Sequence, residues 1–114
     1  MKACIFYPGV KAGTLTNLTR QQINLAVGGV REEIAYSYNG HAVSIHTGGS
    51  AAAARGDVSN RIIDGHVVYG PMVVTGELSP FMWDSLSRTK VWPMPQTEVA
   101  GAFGGLQNSR ATQI

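Results

Sequence analysis

The stretch REEIAYSYNGHAVSIHT, residues 31–47, decides the fold because it contains both strands and the turn of a β-hairpin. At its centre, Asn39-Gly40 is a dipeptide that two-residue type I′ turns favour, since both positions require positive φ. Such a turn fixes the register, which places apolar and aromatic side chains on one face and small or polar ones on the other. The predicted cross-strand pairs are Tyr38–His41, Tyr36–Val43 and Ile34–Ile45 on the first face, and Ser37–Ala42, Ala35–Ser44 and Glu33–His46 on the second.

A second β-rich stretch follows at residues 60–76, NRIIDGHVVYGPMVVTG. Strand-forming residues dominate between Val67 and Val74, but Gly70-Pro71 interrupts them. Proline has no N–H to donate, so Pro71 indicates an edge, a bulge or a turn between two short strands. We expect Val67–Val74 to be core strand, with turns and a bulge served by Gly65, Gly70 and Gly76.

Two helices are marked by their first residues. Thr19 and Gln22 form a capping box ahead of QQINLAV (21–27), and Ser79-Pro80 supplies a second N-cap followed by proline at the first helical position. The predicted buried residues of the two helices are Ile23, Ala26 and Val27 in the first, and Phe81, Met82 and Leu86 in the second.

These elements predict a single α+β domain with an antiparallel sheet of four or five strands and two helices on one face. The predicted core domain spans residues 1–91. Residues 92–114 contain two prolines and three glycines without clear periodicity, which predicts a C-terminal tail. Its apolar side chains suggest an oligomerisation arm that packs on a neighbouring subunit.

Composition limits the classes of partner. Only 14% of the residues are charged, below the roughly 25% of typical soluble domains, so we expect a homo-oligomer in which a partner covers part of the surface. The net charge of +2 comes from scattered basic residues and carries no strong nucleic-acid signature. Cys4 is the only cysteine, and neither a signal peptide nor a membrane span is recognisable. The expected location is therefore the cytoplasm.

No pattern in the sequence predicts catalysis, a metal or a cofactor. His41 and His46 lie five residues apart on one strand and therefore face opposite sides of the sheet, which prevents joint chelation. Nucleophile elbows and phosphate loops are absent from the sequence. A small hydrolase stays open as an alternative, with His46 or His66 as general base and Glu33 as its orienting residue.

The candidate ligand site lies in the loop before the central strand and consists of Arg55, Asp57, Asn60 and Arg61. Guanidinium groups present a fork of donors that suits a carboxylate or phosphate. The alternative is structural: Asp57 or Ser59 caps a short turn, Asn60 bonds loop backbone and Arg61 pairs on the surface.

The order of these segments resembles a family of small proteins of unknown function encoded by bacteriophages, plasmids and other mobile elements. The resemblance rests on INLAVGG (23–29), the hairpin, the Asn60-Arg61 step, a glycine-spaced strand over 63–76 and the helix SPFMWDSL (79–86). It covers a little over half of the chain. Family members usually carry an acidic stretch near the Asn-Arg step, where this chain has alanines and Asp57.

The resemblance implies a phage or mobile-element accessory protein that acts in the host bacterial cytoplasm. Small proteins of this kind often bind a host protein or a nucleotide-like small molecule, so we expect a non-enzymatic binding protein, with counter-defence as one role that the resemblance leaves open. A structural virion or assembly protein is the third alternative, for which the apolar tail is the main argument.

Overall fold

The computed structural model describes residues 1–88 and 92–95 of the chain. Its strands are β1 (Lys2–Phe6), β2 (Thr14–Asn17), β3 (Glu32–Tyr38), β4 (His41–Thr47), β5 (Ser59–Ile63), β6 (His66–Tyr69) and β7 (Met72–Gly76). Its helices are α1 (Arg20–Ala26), α2 (Gly49–Ala54) and α3 (Pro80–Arg88).

Five strands form one antiparallel sheet in the order β2-β1-β7-β4-β3, and β5 pairs with β6 in a separate two-stranded sheet. The α+β class and the five-stranded antiparallel sheet are as predicted. Hairpin β3–β4 has every predicted cross-strand pair, and its turn residues Asn39 and Gly40 have φ of 49° and 81°. Local turn chemistry and face alternation therefore determine this part of the sheet.

One face of the five-stranded sheet carries the larger hydrophobic core, and we call it the core face. Buried side chains from β1, β4 and β7 cover it, among them Phe6, Ile45 and Val74. The β5–β6 sheet and α3 pack against this face through Ile63, Val68, Trp83 and Leu86. Apolar burial of this extent is the main force that holds the two sheets together.

The opposite face carries α1, and we call it the α1 face. Ile23 and Val27 pack there against Ala3, Ile5 and Val73. Because α1 and α3 lie on different faces and the alanine-rich segment forms a third helix, the expected arrangement of two helices on one face is wrong. The sequence marks where the two long helices begin but contains no local signal for the face each one covers.

Residues 67–74 form two strands in different sheets. The β5–β6 hairpin closes through Asp64 and Gly65, whose φ values of 48° and 81° match the type I′ pattern. Gly70-Pro71 then leads from β6 to β7, the central strand of the large sheet. Of the three roles open to Pro71, the structure shows the turn between two short strands.

The second predicted helix begins as expected, with the Met82 N–H donating to Ser79 Oγ at 3.2 Å. Its buried face differs from the prediction, since Phe81 is 80% exposed whereas Trp83 is buried. Beyond α3, Trp92 is buried and contacts the rings of Phe6 and Tyr36 edge-on. The core therefore extends past the predicted boundary at residue 91. Residues 96–114, which hold most of the predicted arm, lie outside the described part of the chain.

Candidate functional site

Asn60, a member of the predicted ligand site, is completely buried. Its Nδ2 group donates to the backbone carbonyl of Phe6 at 2.7 Å and to that of Gly70 at 2.8 Å. These bonds tie β5 to the ends of β1 and β6. The Asn60 side chain thus satisfies buried backbone, which is the structural alternative stated for it from the sequence.

Arg61 is also buried and its donors point inward. Nη1 donates to the Asn60 carbonyl and to Asn60 Oδ1, while Nη2 donates to the carbonyls of Val10 and Lys11 at 2.6 and 3.1 Å. The guanidinium also lies 5.3 Å from the centre of the Phe6 ring, within the range of a cation–π contact. Burial lowers the pKa of Arg61.

Arg55 and Asp57 form a surface ion pair with an Nη2–Oδ2 distance of 2.6 Å. The hydrogen bonds that Arg55 donates to the Asp57 carboxylate raise the pKa of Arg55. The four predicted residues therefore divide into an exposed pair and a buried pair. They do not converge as donors on one open site.

A different polar cluster lies on the α1 face, where His46 is only 4% exposed. Around it, a pocket of about 120 Å³ is lined by Arg20, Ile23, Arg31, Glu33, His46 and Thr75, together with Met1. Register places these groups together: Glu33 pairs with His46 across the hairpin, and Thr75 of β7 is two residues from Val73, the partner of His46. Side chains at such diagonal positions lie on the same face and within reach of each other.

The hydrogen bonds of His46 identify its tautomer. Arg31 Nη1 lies 3.1 Å from Nδ1, and Thr75 Oγ1 lies 2.9 Å from Nε2. A guanidinium can only donate, so Nδ1 accepts and the proton of the neutral ring is on Nε2. The Nε2–H therefore donates to Thr75 Oγ1.

This tautomer bears on the hydrolase alternative. A histidine general base must accept a proton at the nitrogen that faces the nucleophile. In His46 that nitrogen already carries a proton, and Arg31 occupies the position where an orienting carboxylate would be needed. Glu33 acts on His46 through its charge and forms no hydrogen bond with it in the described part of the chain. The geometry argues against His46 as a base that activates Thr75.

Electrostatics keep the ring neutral. Burial lowers the pKa of His46 from its ordinary value of 6.5, Glu33 raises it, and Arg31 and Arg20 lower it. Neither arginine forms an ion pair with any residue in 1–88 or 92–95. The pocket is lined by two guanidinium groups and one carboxylate, so its side chains carry a formal charge of +1.

Part of this cluster is predictable from the sequence. The hairpin register already placed Glu33 beside His46, whereas Arg31 and Thr75 were missed. Thr75 reaches His46 only because β7 lies next to β4, and strand order depends on contacts distant in the sequence. Arg31 lies just before β3, and its position next to the Glu32-Glu33 pair was the only signal in the sequence for its role.

Two larger pockets also lie among the described residues. One, of about 570 Å³, shares Met1 and Thr75 with the His46 pocket and extends along Lys2, Glu77 and Leu78. The other, of about 480 Å³, lies between β3, α2 and the β5–β6 hairpin. Both volumes fall in the roughly 300–1,000 Å³ range of small-molecule sites.

Comparison of the chain with protein-family models, curated proteins and solved structures finds no match. The resemblance to mobile-element proteins therefore stays a hypothesis. None of the helices within residues 1–88 and 92–95 has the length and apolar character needed to cross a membrane.

Proposed function

We propose that this protein is a non-enzymatic binding protein for a small anionic molecule, and that the anion is held by Arg20, Arg31 and Thr75. The observation that carries the proposal is the excess of donors around the 120 Å³ pocket. The two arginines have no carboxylate within ion-pair distance among the described residues. Charge-assisted hydrogen bonds from guanidinium groups are among the strongest that a protein offers an anion.

His46 prepares the pocket for an acceptor. Thr75 Oγ1 accepts a hydrogen bond from His46 Nε2–H, and its own hydroxyl hydrogen has no acceptor among the described residues, so it can be donated to a ligand. On the other side of the ring, His46 Nδ1 uses one N–H of Arg31 and holds the guanidinium in place. The remaining N–H groups of Arg31 bond to no acceptor in the described part of the chain. A neutral histidine between two donors thus orients both.

The pocket volume sets the size of the anionic group. At about 30 Å³ per water molecule, 120 Å³ corresponds to about four waters, which fits a carboxylate or a phosphoryl group. The adjoining 570 Å³ pocket, which meets the first at Met1 and Thr75, offers room for the rest of a nucleotide-sized molecule. The ligand class that suits both is a small molecule with a terminal anionic group.

The test is a titration with inorganic phosphate and with ADP, followed by two-dimensional NMR so that weak binding also registers. We expect shifts at Thr75 and in β4, and at least a tenfold loss of affinity in Arg31→Gln, because a hydrogen bond to a charged group contributes roughly 1.5–3 kcal/mol. Arg55→Ala is the matched control and should bind like the wild type. Equal affinities in Arg31→Gln and wild type would exclude this pocket as the anion site. A loss of affinity confined to Arg55→Ala would instead indicate that the anion binds at the 55–61 loop.

The biological setting of the proposal is a phage or mobile-element accessory protein in the host bacterial cytoplasm. This setting is supported by the segment order that resembles the mobile-element family. A homo-oligomer belongs to the same proposal and is supported by large apolar side chains at the surface, namely Leu25, Val30 and Phe81, which are 67%, 60% and 80% exposed. Detection of the protein in purified virus particles, rather than in infected-cell cytosol, would favour a structural virion protein instead.

A further inference from the structure

The 480 Å³ cleft separates β6 from α2 and from the first residues of β3. From β3 it contacts Glu32 and Ile34, two positions apart, which is the pattern of one sheet face. From β6 it contacts four consecutive residues, His66, Val67, Val68 and Tyr69. Since neighbouring side chains of a strand point in opposite directions, a cleft that touches consecutive residues runs along the edge of that strand.

The edge of β6 offers an unpaired peptide group in this cleft. Ile62 of β5 donates its N–H away from β6, to the carbonyl of Pro93 at 2.8 Å. Ile62 and Val67 are opposite each other, so theirs is a non-hydrogen-bonded pair and the N–H and C=O of Val67 point outward from β6. No backbone group within residues 1–88 and 92–95 bonds to that outer side of Val67.

The walls of the cleft have a defined chemistry. Ile34, Ile63 and Val68 supply an apolar surface between the two sheets. Glu32 and Asp64 bring carboxylates to the rim, and neither forms an ion pair with the described residues. The residues that line the cleft include no lysine or arginine, so its formal charge is negative. An occupant must therefore combine an apolar side with a positive charge.

We propose that the outer edge of β6 binds an extended peptide segment of a partner protein, in which apolar residues alternate with lysine or arginine. Strand addition supplies main-chain bonds through Val67, and alternate side chains of the peptide enter the apolar cleft or reach the acidic rim. The cleft shares no lining residue with the His46 pocket, so the proposal stands independently of anion binding.

The probes are fluorescein-labelled octapeptides of alternating valine and lysine, with alternating valine and glutamate as the charge control. Fluorescence polarisation with the full chain should give at least tenfold tighter binding of the lysine peptide. Val67→Pro removes the outward N–H at an edge position where proline is tolerated, and should weaken binding at least tenfold. Val67→Thr keeps the N–H and should bind within about twofold of the wild type.

Two further measurements test the proposal even if the Val67→Pro variant does not fold. A lysine peptide N-methylated at alternate amides should lose binding to the wild-type protein, because it can no longer pair with an edge. Glu32→Gln with Asp64→Asn should abolish the preference for lysine over glutamate. Unchanged binding of the N-methylated peptide, equal binding of both peptides by the wild type, or no binding at all would each overturn the proposal.

Discussion

Arg61 donates four hydrogen bonds to groups inside the chain, including the carbonyls of Val10 and Lys11. The same residue, taken from the sequence alone, is a typical anion ligand. Burial and internal hydrogen-bond partners distinguish a structural arginine from a ligand-binding one, and neither property can be read from the sequence. For His46 the sequence understated the role of the residue. Nothing in its strand indicated that the ring bonds to Thr75 on a neighbouring strand and to Arg31 in the loop before β3.

Replacement of Arg61 by alanine tests its structural role. We expect a loss of about 2–4 kcal/mol in the free energy of unfolding, since several charge-assisted bonds disappear and Asn60 Oδ1 is left unsatisfied. Urea denaturation measures this loss, and Arg55→Ala, which removes only an exposed ion pair, should leave the midpoint unchanged. An Arg61→Ala protein of normal stability would return this side chain to the list of ligand candidates.

His46 should make stability depend on pH. Its pKa in the folded protein is lowered below the ordinary 6.5, so the unfolded chain binds the proton more tightly. The free energy of unfolding should therefore be highest above pH 6.5 and fall as the pH decreases towards the folded-state pKa. Urea denaturation between pH 5 and pH 7.5 should show this fall in the wild type and a shallower one in His46→Gln. Identical slopes would contradict a neutral, buried His46.

At the scale of elements, local chemistry accounts for what was predicted from the sequence. The Asn39-Gly40 turn and the Thr19–Gln22 capping box each act within a few residues, and both are present in the structure. Strand order is set by contacts between distant segments, so the position of β7 between β1 and β4 was not predictable. The sequence pattern of α3 likewise predicts a buried Phe81, but Phe81 is exposed because the direction of the helix relative to the sheet buries Trp83 instead.

Gly65 provides a test at this scale. Its φ of 81° lies in the left-handed region, where a residue with a Cβ costs roughly 1–2 kcal/mol. Gly65→Ala should therefore destabilise the β5–β6 hairpin by about that amount in urea denaturation. Asp64→Gly is the control, because residue 64 also has positive φ and glycine adopts it freely, so stability should not fall. Equal destabilisation by both changes would mean that the turn is not the type I′ turn described.

At the scale of the whole molecule, the five-stranded sheet separates two environments. The core face holds the hydrophobic cluster, the β5–β6 sheet and α3, whereas the α1 face is covered only in part and leaves His46 and Thr75 beside a small polar pocket. The larger hydrophobic core and the proposed anion site thus lie on opposite faces of one sheet. This division was beyond prediction from sequence, since it requires both the strand order and the placement of α1.

Native mass spectrometry of the protein purified from bacterial cytosol tests the central claim most directly. The wild type should carry the extra mass of a small anionic molecule on each subunit, and Arg20→Gln with Arg31→Gln should lose it while Arg55→Ala keeps it. The same spectra report the oligomeric state. A wild-type protein without added mass, or a double variant that retains it, would contradict an anion site on the α1 face.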